Sequence, residues 1–205
     1  MTDWLIGLME TLGAPGAGLA IALENLFPPL PSEVILPMAG FTASRGELDL
    51  LDVVVWTTIG SVVGALALYW VGAMLGRDRV IALVERIPLL KTSDVEKTEA
   101  FFQRHGRKTV FFGRMIPVFR SLISIPAGVE RMPLPMFLLL TTGGSLIWNV
   151  IFVYAGYLLG EQWHLVETYV GVGTNVVIGI VVAAVLVFIG VRVAERRKER
   201  NAARR

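Results

Sequence analysis

Four ionisable residues lie inside apolar stretches of this chain. Glu24 and Glu33 flank Pro28, Pro29 and Pro31, and Arg114 and Arg120 flank Pro117. Ionisable groups at membrane depth are expensive and mark function by default. Each sign is confined to one stretch, so if the proline-broken tips meet, two carboxylates face two guanidiniums and the cluster is neutral. Two structural salt bridges are the plainer reading, but a buried ion pair is often no more stable than an apolar replacement. Arginine presents a planar fork of donors suited to phosphate, so Arg114 and Arg120 are expected to bind one phosphate between them. Glu24 and Glu33 are expected to balance the arginines while the site is empty. They take up protons when an anion displaces them, because burial favours the neutral acid once the cation beside it is lost. This is a physical route to proton-coupled movement of an anion.

Other chemistries find little support. The chain has no cysteine, which excludes a disulfide scaffold, a thiolate metal site and a cysteine nucleophile, and it has 2 histidines. His105 and His164 flank the apolar runs and read as surface residues. There is no Ser-His-Asp arrangement and no glycine-rich nucleotide loop. An enzyme is not expected, nor a metal, a cofactor or direct use of ATP; the proton gradient is the expected energy source.

The elements that must position these four residues are membrane elements. Of 205 residues, 54% are apolar and 18% charged, against about 25% charged in soluble domains. A spanning helix needs roughly 20 apolar residues. Residues 53–76, 134–160 and 168–191 are uncharged runs that qualify. Residues 1–13 put Trp4, Leu5, Leu8, Met9 and Leu12 at helical spacing, an amphipathic helix on the membrane surface. Residues 15–44 and 109–131 are broken by proline, and each half is too short to cross. Irregular backbone at membrane depth must be buried in protein or line a cavity, so both read as re-entrant hairpins.

Charge sets the orientation. Residues 77–108 hold 8 basic residues and the tail 192–205 holds 7, whereas 161–167 holds none. The linker and the C-terminus are therefore expected in the cytoplasm. The spans alternate correctly only if each hairpin emerges on the side it entered.

The unit occurs twice. Residues 57–76 and 141–160 share Thr57, Thr58, Gly60, Ser61 and Gly72 with Thr141, Thr142, Gly144, Ser145 and Gly156. Ala39-Gly40 and Ala127-Gly128 precede them, each after a proline-broken hairpin. The expected fold is all-α and polytopic: an inverted repeat of hairpin plus spanning helix in a core of residues 14–165, with an N-terminal amphipathic helix and an extra C-terminal spanning helix. Inverted repeats are a transporter signature, with substrate near the midplane. Gly60 with Gly64, and Gly72 with Gly76, are spaced to let helices approach closely.

At these residues the chain resembles the DedA family, bacterial members of the VTT or SNARE-associated domain group. The resemblance rests on Glu24-Asn25, PPLPSE at 28–33, FFQRHG at 101–106, GRMIPVFRSLISIPAGVERM at 113–132 and GGSLIWN at 143–149. Many members carry Asp or Asn after the glycine at 64, where this chain has Ala65. The resemblance implies a lipid transporter of the bacterial cytoplasmic membrane that moves a phosphate-headed lipid, undecaprenyl phosphate first, from the outer to the inner leaflet. A phospholipid flippase or scramblase, for phosphatidylethanolamine among others, is the alternative; a non-transporting scaffold is the third reading. The partners implied are lipid and membrane, not nucleic acid, and a homo-oligomer is left open.

Overall fold

The computed structural model describes residues 3–26, 32–86, 92–116 and 119–159. All the regular elements among them are helices. The helix α1 (Asp3–Leu12) is ended by Gly13 in the left-handed region, φ +65°, a stop that glycine supplies without steric cost. Beyond it α2 (Ala14–Leu26) folds back along α1, and Met9 is buried against α2. The surface-helix reading of 1–13 therefore needs one amendment: part of that apolar face lies on protein.

The helix α3 (Ser32–Ser44) follows the proline segment. At 13 residues each, α2 and α3 are about 20 Å long, shorter than a hydrocarbon core of about 30 Å. The long helix α4 (Leu50–Arg86) begins where the Asp49 carboxylate accepts from the backbone N–H of Leu51 and Asp52, at 2.8 and 3.0 Å, an N-terminal cap. It kinks at Gly76, φ 65° and ψ 173°. Then come α5 (Thr92–Gly113), the short α6 (Phe119–Leu122) and α7 (Ser124–Val129), and α8 (Leu134–Leu158). Among the described residues, Leu50–Ala82 and Leu134–Leu158 are the two helices long and apolar enough to cross a membrane. The proposed span 168–191 and the tail 192–205 lie outside the described residues.

The arrangement of polarity explains the packing. On α8 the buried face is Phe137, Thr141, Gly144, Ser145, Asn149, Val153 and Gly156, whereas Leu139, Leu146, Ile147, Val150 and Ile151 are exposed. On α4, Thr57, Thr58 and Ser61 are buried while Val55, Ile59 and Val63 are exposed. Small and polar residues face protein, and large aliphatic ones face outward. Water would not support that pattern, but lipid does, since small residues let helices approach and hydroxyls bond across them.

The helix ahead of each proline break lies on the long helix that follows the break, α2 on α4 and the end of α5 on α8. The second arms, after the breaks, cross over: α3 packs on α8, and α7 packs on α4. Glycines make the crossings. Gly40 abuts the Val153 carbonyl and Gly156 abuts the Pro37 carbonyl; likewise Gly128 abuts the Tyr69 carbonyl and Gly72 that of Ile125. A methyl group at any of these four would collide with backbone. Gly60 meets the Gly18 carbonyl in the same way, and Gly64 meets the Ala22 carbonyl and the Asn25 side chain. Gly76 differs from the sequence reading: nothing lies within 4 Å of where its side chain would point, and its role is the positive φ of the kink rather than close approach.

Candidate functional site

The two proline-broken segments meet through ionisable residues. Glu24, near the end of α2, is paired with Arg120 on α6, and both side chains are buried. The next residue on each strand of chain repeats the pairing: the Ser121 hydroxyl donates to Asn25 Oδ1 at 3.0 Å. Asn25 in turn donates through Nδ2 to the Ile21 carbonyl at 3.0 Å. Two adjacent residues of α2 thus bind two adjacent residues of α6. A helix of four residues, with Pro117 ahead of it, would not hold its place by its own backbone bonds; this double contact fixes it.

Arg114 is held differently. It is 2% exposed, and its partners are neutral: Nη2 donates to Ser124 Oγ at 2.7 Å and to Thr141 Oγ1 at 3.4 Å. The guanidinium carbon lies 5.9 Å from the centre of the Phe137 ring, within cation–π range. Its Nε is buried without an acceptor among the described residues. The charged groups that act on it are Arg120 and Glu24. A backbone turn at the end of α5 delivers it, with the Arg114 N–H donating to the Phe111 carbonyl at 3.3 Å. Gly144 on α8 leaves room for it, for a methyl there would meet the Arg114 side chain at 2.8 Å.

Glu33 stands apart. It occupies the first turn of α3, where a carboxylate is favoured by the helix dipole, and it is only half-buried. It still lies within electrostatic reach of Glu24. The structure therefore brings Glu24, Arg114 and Arg120 together in the interior and sets Glu33 at its margin. Sequence reasoning passed over Asn25, Ser121, Ser124 and Thr141 as site residues. Their signal was weak: hydroxyl and amide side chains within apolar stretches, which also serve as helix glue. A separate polar contact joins the two long helices, where Asn149 Nδ2 donates to Thr58 Oγ1 and Ser61 Oγ, both at 3.3 Å. His105 is exposed, as read from the sequence, and His164 lies outside the described residues.

The family model described as VTT domain matches residues 30–158, which takes in α3, α4, α5 to α7 and α8. The chain belongs to the VTT domain family. Among relatives of this VTT-domain protein, an "Alkaline phosphatase-like protein" of Lactococcus lactis subsp. lactis (strain IL1403) is 42% identical over 97% of this chain and 96% of its own. "Undecaprenyl phosphate transporter A" of Bacillus subtilis (strain 168) is 35% identical over 87% of this chain and 89% of its own. The protein of the same name from Staphylococcus aureus (strain NCTC 8325 / PS 47) is 32% identical over 97% and 98%. No solved structure matches the chain. The DedA and VTT resemblance read from PPLPSE and the arginine segment therefore holds, and with the outward-facing apolar helices it makes this a helical membrane protein.

Proposed function

We propose that this protein moves a phosphate-headed lipid, undecaprenyl phosphate, from the outer to the inner leaflet of the bacterial cytoplasmic membrane, driven by proton uptake. The observation that carries the proposal is Arg114: a buried guanidinium held by hydroxyls and a ring face, with an unpartnered donor. An uncompensated buried cation is costly, and a bound anion removes the cost. Arg120 is the second arm of the clamp. To grip phosphate it must release Glu24, and a buried carboxylate released from its cation is protonated rather than left charged.

The charge count supports one proton per lipid. From the sequence, two acids and two bases make a neutral empty site, and one or two protons accompany the anion. With Glu33 at the margin, the three interior groups sum to +1. A phosphate monoester carries about −1.5 to −2 near pH 7. A dianion therefore leaves −1, and a single proton on Glu24 neutralises it. An inward proton gradient then drives the lipid inward.

The matched glycine contacts support reading α2–α3 and the 109–131 segment as inverted re-entrant hairpins, with the 77–108 linker and the C-terminal tail in the cytoplasm. The site then lies near the midplane. Relatives named as undecaprenyl phosphate transporters support the choice of lipid.

A leaflet-resolved assay in proteoliposomes tests the reading, with undecaprenyl phosphate against phosphatidylethanolamine. Selective inward movement of the first is expected. Equal movement of both favours a phospholipid scramblase. Inorganic phosphate released in the same assay would favour hydrolysis, as the lactococcal relative's name suggests, over transport.

A further inference from the structure

One face of α5 changes character along its length. Phe101, His105, Lys108, Thr109 and Phe112 follow each other at helical spacing, and Phe101, His105, Lys108 and Phe112 are exposed. The Thr109 hydroxyl is internally satisfied, donating to the His105 carbonyl at 2.9 Å. With Ile116, Phe119 and Ile123 this face forms a groove of about 320 Å³. Its floor beyond Lys108 is aliphatic and aromatic, with Phe112 57%, Ile116 49% and Phe119 57% exposed. At its other end His105 and Lys108 also line a second cavity, of about 710 Å³, to which Arg104 and Arg107 belong. The acid in that cavity, Glu130, accepts from Gln103 at 3.5 Å. So an apolar trough ends in a basic rim.

The trough also adjoins the charge cluster through the chain itself. Gly113 lines the groove while Arg114, the next residue, is buried in the cluster; Phe119 lines the groove while Arg120, the next residue, is paired with Glu24. The wall between them is thin. A methyl on Gly113 would meet the Ile123 side chain at 3.3 Å, so the end of α5 lies directly against the residue that precedes α7. We propose that this groove seats the transported phosphate-headed lipid beside the cluster, its tail on Phe112, Ile116 and Phe119 and its phosphate on the Lys108 and His105 rim. The lipid passes between groove and cluster past Phe119. The occupant follows from complementarity: an apolar tail fits the floor, and an anionic head fits a rim whose fixed charges are mostly positive. The choice of lipid rests on the transport reading above.

Tail-diazirine undecaprenyl phosphate, photolysed with the full chain in nanodiscs, tests this directly. Adducts are expected to concentrate on residues 112–123, at least about fivefold over the exposed α4 face at Val55 to Val63. Unlabelled undecaprenyl phosphate should compete, and undecaprenol or phosphatidylglycerol should not. Lys108→Glu, on an exposed residue outside the cluster, should lower the yield roughly five- to tenfold. Even labelling of all apolar faces, equal competition by undecaprenol or phosphatidylglycerol, or unchanged labelling of Lys108→Glu would overturn the groove. Labelling is read without translocation. Groove adducts in a protein that fails to translocate keep the lipid site and sink the transport reading, and translocation with even labelling does the reverse.

Discussion

Glu24 and Arg120 are 96 residues apart in sequence and paired in the interior, both side chains buried. Removing one partner leaves an uncompensated charge, which costs about 3–5 kcal/mol. Arg120→Ala and Glu24→Ala should therefore each lower thermal stability in detergent markedly. The matched apolar double variant, Glu24→Leu with Arg120→Met, should recover most of that stability and still fail to transport. A double variant that transports at the wild-type rate would make the pair a scaffold.

Arg114→Lys keeps the charge and loses the fork. A lysine ammonium has three donors but no planar fork, so it cannot offer phosphate a bidentate pair of parallel bonds. Losing one charge-assisted hydrogen bond to phosphate, about 1.5–3 kcal/mol, corresponds to a roughly 10- to 100-fold lower transport rate, with membrane insertion intact. Arg120→Lys should be impaired as well. Wild-type rates in both variants, measured with membrane content normalised, would remove phosphate from the arginines.

The hairpin topology is testable because the chain contains no cysteine. Single cysteines at Thr11 and Arg45, both exposed, should react with an impermeant maleimide from the outside. A cysteine at the exposed Arg131 should react from the cytoplasmic side; its neighbour Met132, 9% exposed, is too buried to report. Thr11 and Arg45 reacting from opposite faces would make residues 15–44 a crossing rather than a hairpin.

Transport should rise when the side releasing protons is made more acidic than the side receiving them. Glu24→Gln mimics a permanently protonated acid, so it should bind lipid and lose its response to the gradient. Glu33→Gln, at the margin, should keep a larger share of that response. A wild-type rate and final lipid distribution that ignore an imposed pH gradient would replace coupled transport with passive scrambling.

Two glycines four residues apart should behave differently. Gly72→Ala drives a methyl into the Ile125 carbonyl on α7, an overpacking that typically costs about 1–3 kcal/mol. Gly76→Ala meets nothing and costs its backbone conformation, φ 65° with ψ 173°, a region that is essentially glycine's alone, about 1–3 kcal/mol. Thermal unfolding should show both losses. Transport should fall only with Gly72, because only that residue seats the arm carrying Ser124. Equal transport in the two would contradict the assigned roles.

Much of this fold was legible because membranes impose simple arithmetic. Uncharged runs gave α8 and most of α4, prolines gave the breaks, and the Thr-Thr-x-Gly-Ser match between 57–61 and 141–145 pointed to two like units. The crossing of second arms was not legible, since one-residue contacts such as Gly40 against Val153 leave no periodic trace. In the site, burial of Glu24, Arg114 and Arg120 followed from charge within apolar sequence. The distinct setting of Glu33 did not, because its depth depends on where α3 starts relative to α2. Likewise Arg114 and Arg120 look alike in sequence, and only geometry separates the one bound to a carboxylate from the one bound to hydroxyls.

The crossed arms also dictate an order of events during biosynthesis. A ribosome working at about 5–20 residues per second makes Glu24 roughly 5–20 s before Arg120, given their separation of 96 residues. The surface of α8 that receives α3 is made later still. Throughout that interval the α2–α3 segment has neither its counter-charge nor the α8 surface on which α3 packs. Burying Glu24 before Arg120 is made would leave an unpaired carboxylate, which is costly, so its burial falls after the second unit emerges and the two halves close over one another. Assembly is then a late, joint step in which neither half matures ahead of the other.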